Sequence, residues 1–222
     1  MNQTIRCLSE IIRANPLIEK LLFVPSYSIG HQIGEYLSKS GISWINLRVT
    51  TIAGYAQELL ALEIGEEGIR LIGSHEKNLI VEKIYRESDL PERDRYFNGA
   101  EEIPGILKCL ANALHEMTME GFNEGNINPG AFIVAGKGKE LVWLHKAYNR
   151  FLKENKLIDH AGLIQKAFRK LEKEKQPEDG RLVIVLSDFP LSKLEKDLIR
   201  FLAGKKLIVI QHDLPVESRL PV

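Results

Sequence analysis

The chain has no net charge, little cysteine and no long apolar run. Lys+Arg and Asp+Glu each number 30 in 222 residues. A protein that holds nucleic acid chiefly through its phosphates is usually basic. The balance therefore argues against a free-standing nucleic-acid-binding module, though it leaves room for a local groove. The two cysteines, Cys7 and Cys109, lie far apart and fit no CxxC pattern, which suggests reduced core thiols in a cytoplasmic protein. No apolar run reaches the length of a membrane span, and the opening residues do not read as a signal peptide.

Catalytic motifs are missing too. Gly136-Lys137-Gly138-Lys139 invites comparison with a phosphate-binding loop. In GxxxxGK[ST] backbone amides ring the phosphates and a hydroxyl holds magnesium. Here Gly130 stands six residues before Gly136, one too many, and Gly138 takes the hydroxyl's place. The expectation is a solvated turn before a helix. His115-Glu116 opens an HExxH pattern that Met119 breaks, so the second zinc ligand on that helix face is absent. His145, His160 and His212 have no partner at metal-ligand spacing, and neither GxSxG nor a Cys/His arrangement is present. No catalytic residue, cofactor or metal is assigned to this chain, and a small-molecule enzyme is the least supported class.

What is present centres on Arg181–Pro190 and the helix after it. Leu182–Leu186 is an apolar, β-branched run that predicts a buried strand. Ser187-Asp188-Phe189-Pro190 closes it, Ser192 can cap a helix over Lys193–Leu202, and Leu207–Ile210 predicts another strand. Strand, helix and strand joined by short links make a βαβ unit of a parallel sheet. The N-terminal part repeats the pattern. A helix over Ile5–Ala14 leads to a strand at Leu21–Val24, and Ser26 or Ser28 caps a helix over Ile29–Ser38. A strand at Ile45–Thr50 follows, and Thr51 caps a helix through Leu62.

Residues 63–175 change character. Glu63–Gly73 reads as a charged connection, and helices are expected at Glu76–Arg86, Pro104–Met119, Glu140–Glu154 and Asp159–Glu174, with loops at Pro91–Gly99 and Gly121–Gly130. The expected fold is α/β: a parallel sheet flanked by helices from residues 1–62 and 176–222, with an inserted all-helical subdomain over 63–175. The end, His212–Val222, holds two prolines and no periodicity, and reads as part of something longer.

In parallel sheets ligands gather beyond the carboxyl ends of the strands. Ser26, Tyr27, Ser28, Thr50 and Thr51 stand at such ends, as do Ser187 and Asp188. Small hydroxyls at helix starts bind phosphate through amide, hydroxyl and dipole, and they also serve as ordinary helix caps. Asp188 is either a functional residue or a cap.

Three stretches, in order, resemble one family. LLFVPSYSIGHQIGEYL with NLRVTTIAGYAQELL resembles the start of AddB/RexB-type helicase-nuclease subunits. GKELVWLHKAYNRFLKENKLIDHAGLIQKAF resembles their helical segment, with LxDxxxLI at Leu157, Asp159, Leu163 and Ile164. RLVIVLSDFPLSKLEKDLIRFLAGKKLIVI resembles the strand after which they carry a turn and a helix. The family is built like superfamily 1 helicases of the UvrD type. The resemblance therefore implies a RecA-like domain with a helical insertion, and DNA-touching motifs at Pro25–Ser28 and Thr50–Ile52. It departs from an active helicase at both ATP motifs. Met1–Asn15 holds no glycine for a phosphate loop, and Leu186-Ser187 replaces the magnesium-binding acidic pair.

The resemblance thus implies an inactivated helicase-like scaffold that guides DNA, binding it weakly in isolation, with neither ATPase nor nuclease activity in this chain. The parent would be a PD-(D/E)xK exodeoxyribonuclease subunit, in many members with an iron–sulfur cluster in its C-terminal domain. It would work beside an AddA-like helicase-nuclease subunit in double-strand-break processing, repair and recombination. The alternative is a domain that docks a protein partner without meeting DNA. A basic stripe across Arg13, Lys20 and Arg48 would favour the first, and an apolar patch the second.

Overall fold

The computed structural model describes residues 2–88, 95–99, 102–103, 105–123, 125–174 and 180–211. The tail and His212 lie outside them, as do Pro104 and much of the Pro91–Gly99 loop. The residues divide into two compact units. One comprises Met1–Glu58, Phe168–Leu191 and Glu195–Val222; the other comprises Leu59–Ala167 with Ser192–Leu194.

The first unit is a four-stranded, wholly parallel sheet with helices against it. Helix α1 (Gln3–Ala14) starts where the Asn2 side chain accepts the Thr4 N–H and stops at Asn15, before Pro16. It leads to β1 (Lys20–Phe23), α2 (Tyr27–Lys39), β2 (Leu47–Thr50) and α3 (Ile52–Leu59). β1 is fully buried, as expected of a central strand of a covered parallel sheet. On one face Leu22 and Val24 share a core with Ile5, Leu8 and Ile12 of α1 and Ile33 and Leu37 of α2. On the other face Phe23 meets the Tyr55 ring edge-on at 5.8 Å.

The second unit opens with α4 (Ala61–Glu67). This corrects the expected Glu63–Gly73 connection: the segment is helical to Glu67. Gly68, at φ 64°, ends it in the left-handed conformation that suits glycine. Glu63 and Glu67 both pair with Lys166, at 3.7 and 3.0 Å, which supports the turn despite its glycine. β3 (Arg70–Leu71) precedes α5 (Ser74–Arg86), and α6 (Ile106–Met119) follows. After a single 3-10 turn at Pro129–Ala131 comes α7 (Ala135–Glu154). Next are β4 (Leu157–Ile158) and α8 (His160–Glu174), whose second half belongs to the first unit. The chain then completes the sheet with β5 (Leu182–Leu186), α9 (Lys193–Ala203) and β6 (Leu207–Ile210).

The inserted block is not wholly helical. β3 and β4 form a parallel ladder, Arg70 opposite Leu157 and Leu71 opposite Ile158. Two-residue strands leave too short a periodicity to read from sequence. Helices α5, α6 and α7 close a core around Val81, Tyr85, Leu110, Leu114, Leu144 and Tyr148. Gly136–Lys139 is also corrected: it lies inside α7, not in a turn before it. Gly138 donates to Val134 O at 3.1 Å, so its amide belongs to the helix. A Cβ at Gly138 would meet Pro129 O at 2.5 Å, so only glycine permits the 3-10 turn to pack there. Among the described residues no helix is long and apolar enough to cross a membrane.

Candidate nucleic-acid interface

The sheet order is β2-β1-β5-β6. From β1 the chain moves to β2 on one side, and the next sheet strand, β5, lies on the other. The connections therefore diverge between β1 and β5, the place where parallel sheets open a crevice at their carboxyl ends. The loops beside it are Pro25–Ser28 and Ser187–Asp188.

Each expected residue has a defined place. Ser26 caps α2, its hydroxyl accepting the Ile29 N–H at 3.3 Å. Ser28 is exposed in the first turn of α2. Thr51 caps α3 by accepting the Gly54 N–H at 3.0 Å. Thr50 is buried, 4 % exposed, and donates its hydroxyl to Thr51 O at 3.2 Å. Tyr27 is 58 % exposed, unusual for an aromatic ring with a hydrophobic core so near. A Cβ built on Gly54 would lie 2.0 Å from Tyr27 Oη, 3.0 Å from Thr50 Oγ1 and 3.1 Å from Thr51 Oγ1. Three hydroxyls, one from the start of α2 and two from the end of β2 and the residue after it, thus surround one glycine. Gly54 is not legible from the sequence, because a glycine within a helix pattern carries no sign of what approaches it.

On the β5 side Ser187 donates its hydroxyl to Asp188 Oδ1 at 2.5 Å, and its amide donates to Ile210 O at 2.9 Å. Both residues are exposed.

The basic stripe is not formed. Lys20 is 0 % exposed, and its ammonium donates to Asn15 O and Ile18 O, each at 2.6 Å. It satisfies carbonyls where α1 ends, a favourable place for a cation. Burial lowers its pKa from the ordinary lysine value. Arg48 is paired with Glu58 and lies over the Tyr55 ring at 5.6 Å. A lysine in the first position of an apolar strand gives no sign that its head folds back inside.

Cysteine placement is corrected as well: Cys109 is exposed and Cys7 half-buried, so they are not both core thiols. Cys109 lines an apolar cavity of about 510 Å³ with Ile106, Met117, Phe122 and Phe132. His145 is buried between Thr118 Oγ1 at 3.0 Å and Asn149 Nδ2 at 3.2 Å. No family model matches the chain, and no curated protein matches it.

Proposed function

We propose that the carboxyl rim of the parallel sheet guides a DNA strand as a non-hydrolysing scaffold of the AddB type. The observation that carries the reading is the cluster of Tyr27, Thr50 and Thr51 around Gly54, with the Tyr27 ring itself exposed. Hydroxyls and helix-start amides donate hydrogen bonds to phosphate oxygens without reading sequence. An exposed aromatic face stacks on a base of any identity. The four-stranded parallel sheet flanked by helices suits a RecA-like core, and the AddB resemblance supports the same reading. They supply its setting: break-end processing beside an AddA-like helicase-nuclease subunit, with nuclease chemistry elsewhere in the parent. Photocrosslinking a bromouracil-containing single strand tests it. Attachment to the Tyr27-containing peptide supports the rim, and attachment confined to other peptides refutes it.

A second reading, docking of a protein partner, draws on the burial of Lys20 and on the exposed Leu207 and Val209 of edge strand β6. It predicts no strand crosslinking anywhere, together with direct binding to the helicase partner that Val209→Glu removes.

A further inference from the structure

β3 runs into α5 and β4 runs into α8. Because the two strands are parallel, both helices begin at the same end of the ladder. Their first residues, Ser74 and His160, line a cavity of about 220 Å³ with Gly73, Lys77, His115 and Asp159. All of these residues belong to the second unit.

Lys77 sits one turn into α5. Side chains on a helix lean toward its N-terminus, so the Lys77 stem carries the ammonium back toward the helix mouth. The residue is only 7 % exposed, lines the cavity, and makes no hydrogen bond or ion pair within 4 Å among the described residues. Its stem is buried while the ammonium stays open to the cavity. Burial lowers its pKa, and the charge of Asp159 works in the opposite direction.

The surroundings are rich in donors. Gly73 is the N-cap of α5 and has no side-chain oxygen to occupy the first-turn amides. Glu76 turns its carboxylate to the Gly73 N–H at 3.4 Å and to Arg70 at 2.7 Å. The Ser74 side chain is exposed at the mouth. The rings of His115 and His160 lie 5.9 Å apart. Asp159 is the one carboxylate in the lining, and both its oxygens are engaged. Oδ2 accepts the Tyr148 O–H at 3.1 Å and Oδ1 accepts the Gly162 N–H at 2.8 Å.

We propose that this cavity binds a phosphoryl group, as free phosphate or as the end of a small phosphate monoester. Lys77 is its counter-ion, and the α5 amides, Ser74 and the two imidazoles are its donors. Tetrahedral oxyanions suit helix N-termini for the reasons that place phosphates there generally. An ammonium on a buried stem, open to the cavity and without an ion pair among the described residues, gives this terminus the charge that an ordinary one lacks. The inference stands apart from the DNA reading, since it shares no residue with the rim.

The test is calorimetry and thermal melting of the full chain with inorganic phosphate and with ribose 5-phosphate, each against sodium chloride at matched ionic strength. The expected dissociation constant is about 1 mM or tighter. Lys77→Met should fold, with a melting temperature at or above wild type in chloride, and should lose affinity at least about tenfold. His160→Gln should lose affinity several-fold and serves if Lys77→Met does not fold. Tighter binding of inorganic phosphate would assign the site to the free ion, and tighter binding of the monoester to an organic phosphate. Phosphate heats and melting shifts no larger than those in chloride would overturn the proposal. So would unchanged affinity in both variants.

Discussion

The phenol oxygen of Tyr27 occupies the space into which a side chain at Gly54 would grow, 2.0 Å from the position of its Cβ. The contact ties the first residue of α2 to the first turn of α3 and gathers the hydroxyls of Thr50 and Thr51 beside it. Alanine normally stabilises a helix over glycine by about 1 kcal/mol. Here Gly54→Ala should instead destabilise by about 1–3 kcal/mol, since Tyr27 must leave and the buried Thr50 must shift. Combining it with Tyr27→Ala should recover about 1 kcal/mol in urea unfolding. Strict additivity of the two changes would show that they do not press on each other.

Glu140 is a buried anchor. Its Oε2 accepts the N–H groups of Tyr96 at 2.5 Å and Phe97 at 3.0 Å, and its Oε1 accepts the Tyr85 hydroxyl at 2.9 Å. Glu140→Leu leaves the two amides without their acceptor, while the Tyr85 hydroxyl keeps Phe97 O at 2.7 Å, and should cost about 3 kcal/mol. A loss under about 1 kcal/mol in denaturant unfolding would mean that other acceptors take over readily.

Burial lowers the pKa of His115, as does Lys77 from α5. Asp159, Glu116 on its own helix, and His160 of α8 face it as well; the two carboxylates raise the pKa and His160 lowers it. The folded chain therefore holds this proton less tightly than the unfolded chain. Stability is full above the unfolded value near pH 6.5 and falls as pH drops from there through the depressed folded value. His115→Gln should flatten the decline in melting temperature between about pH 6.5 and about pH 5. An unchanged slope would place the acid sensitivity elsewhere.

No magnesium-dependent ATP hydrolysis is expected. Gly136–Lys139 forms the opening turns of α7, and Leu186-Ser187 offers no acidic pair at the end of β5. A phosphate-release assay over hours should match the protein-free control. Turnover abolished by Lys137→Ala would show that this glycine-lysine stretch is catalytic after all.

Much of the sheet was legible because its strands are short, apolar and β-branched between polar turns. Leu182–Leu186 and Leu207–Ile210 match their observed bounds. β1 begins one residue earlier than expected, at Lys20, because the lysine head hides while its backbone pairs. β2 begins later, at Leu47, since Asn46 takes a positive φ of 60° that breaks the extended run. The caps at Ser26 and Thr51 were readable from residue type alone. The Lys77 cavity was not, because its residues come from three separate places in the sequence, the start of α5, the middle of α6 and the turn from β4 into α8, and meet only in the folded chain. Nor was Glu140, whose burial depends on amides more than 40 residues away.

Whether the sheet's carboxyl rim meets DNA, as proposed, is decided by fluorescence anisotropy of a labelled single strand with the wild type and with Tyr27→Ala/Thr51→Ala, at about 50 mM and about 200 mM salt. Weak binding at the lower salt is expected, falling steeply at the higher, since a chain of zero net charge has only local phosphate contacts to offer. The double variant should lose about 1–3 kcal/mol, most of it the stacking of Tyr27. Wild-type binding left unchanged by the double substitution would mean that the rim is not the DNA surface.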